Sequence, residues 1–222
     1  MSRPRLLDLF CGAGGAAMGY HRAGFDVTGV DIEPQPRYPF GFHQADAMTY
    51  PLDGFDAYAA SPPCQDYSKH MRCFTEPGAY PRLIEPIRER FKATGRPWVI
   101  ENVDGAPLPA QSDLFGAHGV ELCGSMFGLR IFRHRLFEAS FPLAAPRGCD
   151  HSLLPMNPHF SVNRRQWRAI LGPGVPLERT WREEMGVGWM DGPEGREAIP
   201  PAYTEHIGRM LMDVLTARAG AA

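Results

Sequence analysis

A chain of 222 residues with 44% hydrophobic content can bury one sizeable core and leaves room for at most a small appendage to it. No basic, apolar and small-residue leader opens it and no apolar run approaches the ~20 residues of a membrane span, which predicts a cytoplasmic protein without membrane contact. Five cysteines, odd in number and irregular in spacing, argue against a disulfide framework, and the net charge of -2 sums 23 basic and 25 acidic residues that are unevenly spread.

In chain order, residues 5–10 form an apolar run closed by Cys11-Gly12-Ala13-Gly14-Gly15, and residues 16–23 read as a helix stopped by Gly24. Residues 25–30 repeat the strand signal and end at Asp31. Strands at 42–45 and 55–60, a helix at 81–93 and a strand at 97–101 continue an alternation that implies a parallel sheet covered by helices. The predicted fold is therefore α/β, a doubly wound, mostly parallel Rossmann-like sheet, for which a nucleotide-like ligand is the default expectation. Strands near 120–123 and 136–140 follow. Residues 142–178 are rich in Pro, Gly and Arg, with one short helix at 164–171, and residues 201–218 read as a closing helix with Ile207, Met210, Leu211 and Leu215 on one face.

Residues 1–128 carry 11 basic against 15 acidic side chains, residues 129–182 carry 9 arginines against 3 acids, and residues 183–222 carry 3 against 7. Arginine gathered into one quarter of the chain favours a phosphate-binding surface over a merely solvated face.

Four segments carry chemistry. Asp8-Leu9-Phe10-Cys11-Gly12-Ala13-Gly14-Gly15 puts small residues where a helix N-terminus must approach a ligand closely. Asp31 past the second strand is placed to accept from ribose hydroxyls, Asp46 after the third to accept from an adenine amino group, and Ile32 to lie against the adenine face. Ser61-Pro62-Pro63-Cys64-Gln65 follows the fourth strand, at the sheet edge where such folds bind ligands, and its two prolines stiffen the turn that presents the Cys64 thiol. Val99-Ile100-Glu101-Asn102-Val103 ends the fifth strand, so the Glu101 carboxyl should share that crevice. Arg133-His134-Arg135, read as strand, puts both guanidiniums on one face, where they could hold a base oxygen and a phosphate.

In these segments, their order and their spacing, the chain resembles the cytosine-C5 DNA methyltransferase family over about residues 5–141 and 179–215, most of all its compact, phage-encoded or minimal members. The resemblance implies S-adenosyl-L-methionine as cofactor, released as S-adenosyl-L-homocysteine, and double-stranded DNA as partner, acted on by a monomer in a bacterial or phage-infected cell. It implies Cys64 as nucleophile on cytosine C6, Glu101 as activator of the base, and Arg133 and Arg135 as base or phosphate contacts. The cofactor set expected on this basis is Asp8, Phe10, Cys11, Gly12, Gly14, Gly15, Asp31, Ile32, Asp46, Ala47, Pro62, Leu83 and Tyr203. DNA contacts are expected from Ser68 and Arg72, in a loop at 65–80 that closes over the substrate, and from Arg164, Arg165 and Gln166. Residues 1–141 would form the catalytic and cofactor-binding core, 142–178 a small target-recognition region suited to a site of about two to four base pairs, and 179–222 a return to the core.

The chain departs from the family in several places. The family's Pro-Gln before the arginine pair is Arg130-Ile131 here, Tyr67 stands for a usual phenylalanine, and the segment before Pro200-Pro201 lacks the usual Gly-Asn. Arg179-Thr180-Trp181-Arg182-Glu183 resembles the segment that braces the recognition region. Cys149 and His151 form a pair of potential ligands without a second pair, so no metal is expected. Ser-Pro-Pro also opens the motif of amino-methyltransferases, which place an aromatic residue where Cys64 stands. A tRNA-modifying relative, suggested by Cys73-Phe74-Thr75, and a non-catalytic binding module complete the alternatives.

Overall fold

The computed structural model describes residues 2–67, 80–112, 118–129, 131–152 and 182–220. Seven strands form one sheet: β1 (Arg5–Leu9), β2 (Asp26–Asp31), β3 (Gly41–Gln44), β4 (Ala57–Ala60), β5 (Trp98–Asn102), β6 (Gly119–Leu122) and β7 (Arg135–Ala139). Their order is β3-β2-β1-β4-β5-β7-β6, parallel through β5, with β7 antiparallel to both of its neighbours. The expected α/β, doubly wound, mostly parallel sheet is the one observed.

Every residue of β4 and β5 is buried, and Leu6, Leu7 and Leu9 of β1 are wholly inaccessible. Burial on both faces is what turns an apolar run into a central parallel strand. On one face lie helix α1 (Gly15–Arg22) and the C-terminal helix, α4 (Pro201–Gly220), which pack Tyr20, Tyr203, Ile207 and Leu211 against Leu6, Val27, Val99 and Phe137. On the other lies helix α2 (Ile84–Thr94), whose Ile84, Ile87 and Phe91 cover Leu7, Leu9, Tyr58 and Ile100. A short helix α3 (Gly192–Glu197), capped by Asp191, precedes α4.

Helices α1 and α4 meet where neither has a side chain to spare. A Cβ on Gly19 would lie 2.0 Å from Thr204 Oγ1, one on Gly15 would lie 2.5 Å from the Ile199 carbonyl oxygen, and the Thr204 hydroxyl donates to the Ala16 carbonyl at 2.8 Å. The closing segment around Pro200-Pro201 thus braces the start of α1 from behind.

Two boundaries differ from expectation in ways that matter for the site. Strand β1 stops at Leu9, because Phe10 takes the left-handed conformation, φ 56°, unique among the described non-glycine residues. Strand β7 starts only at Arg135, so Arg133 lies ahead of the ladder instead of alternating along it. The predicted helix at 164–171 and the recognition region from 153 onward lie outside the described residues.

Candidate active site

Strand order reverses between β1 and β4, and a doubly wound sheet opens its ligand crevice at the carboxyl ends of such a pair. The glycine-rich turn leaves β1 there and the Pro-Pro-Cys turn leaves β4 there, joined by the Ser61 N–H donating to the Leu9 carbonyl at 3.1 Å. The crevice has two sides with different surroundings.

On the β1–β2 side, Gly12 adopts φ 48°, and a Cβ on it would meet nothing within 4 Å, so its backbone faces open space. Its N–H donates to Asp31 Oδ2 at 2.9 Å, while Asp31 Oδ1 accepts from the Glu33 N–H at 3.0 Å. Each carboxylate oxygen keeps a lone pair for an outside donor. Beside it Ile32 is 66% exposed, the exposed large hydrophobic residue among those described. Asp46 is exposed as well, and its Oδ1 accepts from the Met48 N–H at 2.8 Å. Arg90 of α2 holds this loop through the Ala47 and Tyr50 carbonyls, each at 2.7 Å. An acidic acceptor, an apolar platform and an uncovered glycine backbone suit a nucleoside with a ribose diol.

On the β4–β5 side the groups are withdrawn from water. Cys64 is half-buried, Glu101 is 7% exposed and Asn102 is 1% exposed. Arg135 Nε lies 3.0 Å from Glu101 Oε1, and Ser61 also hydrogen-bonds the carboxyl. Burial nevertheless raises Glu101 above the usual carboxylate range, outweighing Arg135, Arg133 and Ser61, which all pull it down. Cys64 is likewise raised, first by burial and then by the charge of Glu101, against the lowering effect of Arg135. The thiol and the carboxyl therefore both retain protons more firmly than in water. Arg133 reaches the same cluster from outside the strand: burial and Arg135 lower it to about 9, while Glu101 and Cys64 favour its charge. Its Nη2 donates to the Arg196 carbonyl at 2.6 Å, and its Nε is buried with no hydrogen-bond partner.

The fold thus gathers Cys64, Glu101, Arg133 and Arg135 on one side, and Gly12, Asp31, Ile32 and Asp46 on the other. Most of the other expected cofactor contacts are buried. Asp8 is wholly buried, and Cys11 sits in the core with its sulfur where a Cβ on Gly29 would lie 2.8 Å away. Gly14 makes room for Tyr38 and Pro39, Gly15 for Ile199, and Ala47 is buried. Tyr203 is wholly inaccessible: its ring stacks on Phe127 and its hydroxyl donates to the Arg133 carbonyl at 2.7 Å, so it positions Arg133 from behind. Pro62 is buried, and Leu83 is half-buried at the start of α2. Ser68, Arg72, Arg164, Arg165 and Gln166 lie outside the described residues.

Three contributors escaped the reading of the sequence. Asn102 Nδ2 donates to the Pro62 carbonyl at 2.9 Å in a wholly buried bond, tying the cysteine turn to β5. Ser61 reaches Glu101 from the same turn. Both stand inside quoted motifs, so their position was visible and their partners were not. Trp189, whose Nε1 donates to the Ala13 carbonyl at 3.0 Å, had no signal at all. Ile131 is 2% exposed and packs with Ala13, Met185, Val187 and Met190, so an apolar cluster stands directly ahead of the arginine pair.

Cys149 and His151, a pair without a second pair in the sequence, lie beside Cys123 and His134 in the fold, and the four ligand atoms are within 4.8 Å of one another.

No family model matches the chain. Among curated proteins, the type II methyltransferase M.XorII of Xanthomonas oryzae pv. oryzae is 57% identical over 35 residues, which is 15% of this chain and 8% of that protein. The chain therefore spans a small part of the curated relative it matches. Among solved structures, the methyltransferase EhMeth of Entamoeba histolytica superposes with a TM-score of 0.59 at 12% identity, over 97% of this chain and 99% of that one. DNMT2 of Spodoptera frugiperda, solved as a triple mutant, is 19% identical with a TM-score of 0.46 over 61% of this chain and 49% of that chain. The superposition on EhMeth, nearly end to end in both chains, establishes an α/β methyltransferase fold. No described helix is long and apolar enough to cross a membrane.

Proposed function

We propose that this chain is an S-adenosylmethionine-dependent methyltransferase that modifies cytosine at C5 in double-stranded DNA, with Cys64 as its nucleophile. The observation that carries the reading is the juxtaposition of a thiol on a proline-stiffened turn with a buried carboxyl on the adjacent strand, both under the charge of Arg135.

Gly12, Asp31, Ile32 and Asp46 fit the cofactor, because they offer a nucleoside hydrogen-bond acceptors, an apolar face and a backbone that no side chain covers. S-adenosylmethionine supplies an electrophilic methyl group on its sulfonium. The target cytosine is extruded from the duplex into the crevice, since C5 and C6 are out of reach within the stack. Cys64, its thiol proton passing to water in the crevice, adds to C6 as the thiolate and converts the ring into an enamine nucleophilic at C5. Electron density moves onto N3 and the exocyclic amine, where Glu101 in its protonated form, which burial favours, donates a hydrogen bond. Arg135 holds Glu101 in place, and with Arg133 it offers cationic contacts to the base oxygen and a phosphate. C5 would take that methyl group, leaving S-adenosylhomocysteine, and loss of the C5 proton to water with elimination of the Cys64 thiolate would then release the methylated base.

Incubation with S-adenosylmethionine and duplex DNA containing 5-fluorocytosine, which lacks the proton that must leave, should trap a covalent complex with the wild type and none with Cys64→Ala. Cys64→Ala should lose turnover by about 10⁴-fold or more while keeping its affinity for S-adenosylmethionine. Nucleoside mass spectrometry of methylated duplex DNA and of tRNA, assayed in parallel, identifies base and substrate. N4-methylcytosine, methylation of tRNA alone, or an active Cys64→Ala would each sink the proposal.

A further inference from the structure

The register Leu122↔Arg135 leaves Cys123 and His134 side by side just beyond the end of the β6–β7 ladder. Cys149 and His151 return to the same point from the following segment. That segment is fastened to the turn Gly124–Phe127, where Arg147 donates to the Met126 and Ser125 carbonyls at 2.7 and 3.2 Å and the Asp150 N–H donates to Ser125 Oγ at 3.2 Å.

The two imidazole Nε2 atoms face each other at 3.2 Å. His151 Nε2 lies 3.4 Å from Cys123 Sγ and 2.8 Å from Cys149 Sγ, and His134 Nε2 lies 3.7 Å from Cys149 Sγ. Four donors placed tetrahedrally at about 2.0–2.3 Å from a zinc ion would stand about 3.3–3.8 Å apart; the separations of 3.4 and 3.7 Å fall within that range, and those of 3.2 and 2.8 Å need shifts of under about 1 Å to reach it. The other nitrogen of His134, Nδ1, lies 2.8 Å from Glu121 Oε1, the carboxylate arrangement that orients a ligating imidazole with Nε2 inward. The His151 ring stacks on Phe132 at 3.8 Å.

We infer that Cys123, His134, Cys149 and His151 form a structural zinc site. Two sulfurs and two imidazole nitrogens select zinc over calcium or magnesium, and with four protein ligands the site is closed and takes no part in chemistry. Its position gives it a task. It staples the ends of β6 and β7 to the segment leading into residue 153, and His134 lies between Arg133 and Arg135, so the metal fixes the backbone from which both arginines project. The inference stands apart from the methyl-transfer reading, because its readout is metal.

Full-length protein, reduced, supplied with zinc and freed of excess by gel filtration, should hold about one zinc ion per chain by elemental mass spectrometry. Cys149→Ser and His151→Ala, both at exposed positions and therefore tolerated by the fold, should each reduce this to below about 0.2. Cys64→Ser should keep it at about one. Cobalt in place of zinc should give the intense visible bands of a tetrahedral site with sulfur ligands. Three results would overturn the inference: no stoichiometric zinc, zinc that survives both substitutions, or a Cys123–Cys149 disulfide in fresh protein that takes up no metal after reduction.

Discussion

The two sides of the crevice hold acids in opposite conditions. Asp31 and Asp46 sit at or near the surface and satisfy backbone N–H groups with lone pairs to spare, whereas Glu101 is buried and raised in pKa despite two arginines and Ser61. A nucleoside that binds and leaves needs partners already solvated and in place; a base whose ring electrons must be rearranged needs partners stripped of water, where each charge or proton acts at full strength. Glu101→Gln tests the second condition and should have the largest effect after loss of the thiol itself. Under the proposed mechanism kcat falls about 10²- to 10³-fold with cofactor affinity unchanged. Removing the carboxylate charge that raises Cys64 should also move alkylation of the thiol to lower pH. An unchanged alkylation profile would separate Glu101 from the thiol.

Asp8 lies on the seam between the sides. It is wholly buried, neither of its oxygens has a hydrogen-bond partner, and burial, Asp31 and Glu101 raise it to about 8 from 3.8. Because the folded state keeps a proton that the unfolded chain has lost, the contribution to stability is full below about pH 4 and disappears as pH rises toward 8. Asp8→Asn keeps the shape without the titration. Its melting temperature should match that of the wild type near pH 4 and exceed it by about 5 °C at pH 8.5, corresponding to about 2 kcal/mol in a chain of this size. A difference independent of pH would mean that Asp8 is ionised and paired. Titration calorimetry on the same variant asks whether Asp8 contacts the cofactor, and its burial predicts that affinity is kept.

Asn102 belongs to the buried side by position but acts through backbone. Asn102→Ala leaves the Pro62 carbonyl and the Val103 N–H without their partners, at a cost of about 1–3 kcal/mol of stability. With the cysteine turn loosened, kcat should drop about 10-fold while the KM for cofactor stays constant. A proportional rise in KM would place the damage on the other side of the crevice.

The parallel half of the sheet was legible in the sequence because its strands are short apolar runs closed by chemistry-bearing turns. Leu6, Leu7 and Leu9 announce β1, and Ser61-Pro62-Pro63-Cys64 announces the end of β4. The pairing of Cys64 with Glu101 followed from the rule that such strands present their carboxyl ends to one crevice. What stayed hidden depends on distance in space. Arg133 was expected on a strand, yet it reaches the cluster from an irregular segment pinned by Tyr203, a residue 70 positions away. Cys123 and His134 are ordinary in sequence, and only the antiparallel register of β6 and β7 brings them together to meet Cys149 and His151. Asp8 read as part of a ligand-binding loop, whereas it points into the core on the face shared with Tyr20, because alternate β1 residues face opposite layers.

Ile32 gives the smallest expected effect and the sharpest test of the open side. A large apolar side chain 66% exposed contributes little to folding, so Ile32→Ala should change stability by no more than about 0.5 kcal/mol. If the side chain is the platform for an adenine ring, truncation removes about 1–1.5 kcal/mol of apolar contact in the complex and weakens cofactor affinity about 10-fold by calorimetry, with kcat at saturating cofactor unaltered. Unchanged affinity would make Ile32 an ordinary exposed residue and leave the nucleoside to Gly12, Asp31 and Asp46. A fall in kcat at saturation would erase the division itself, since a residue that only binds the nucleoside has no means of altering the chemical step once the site is full.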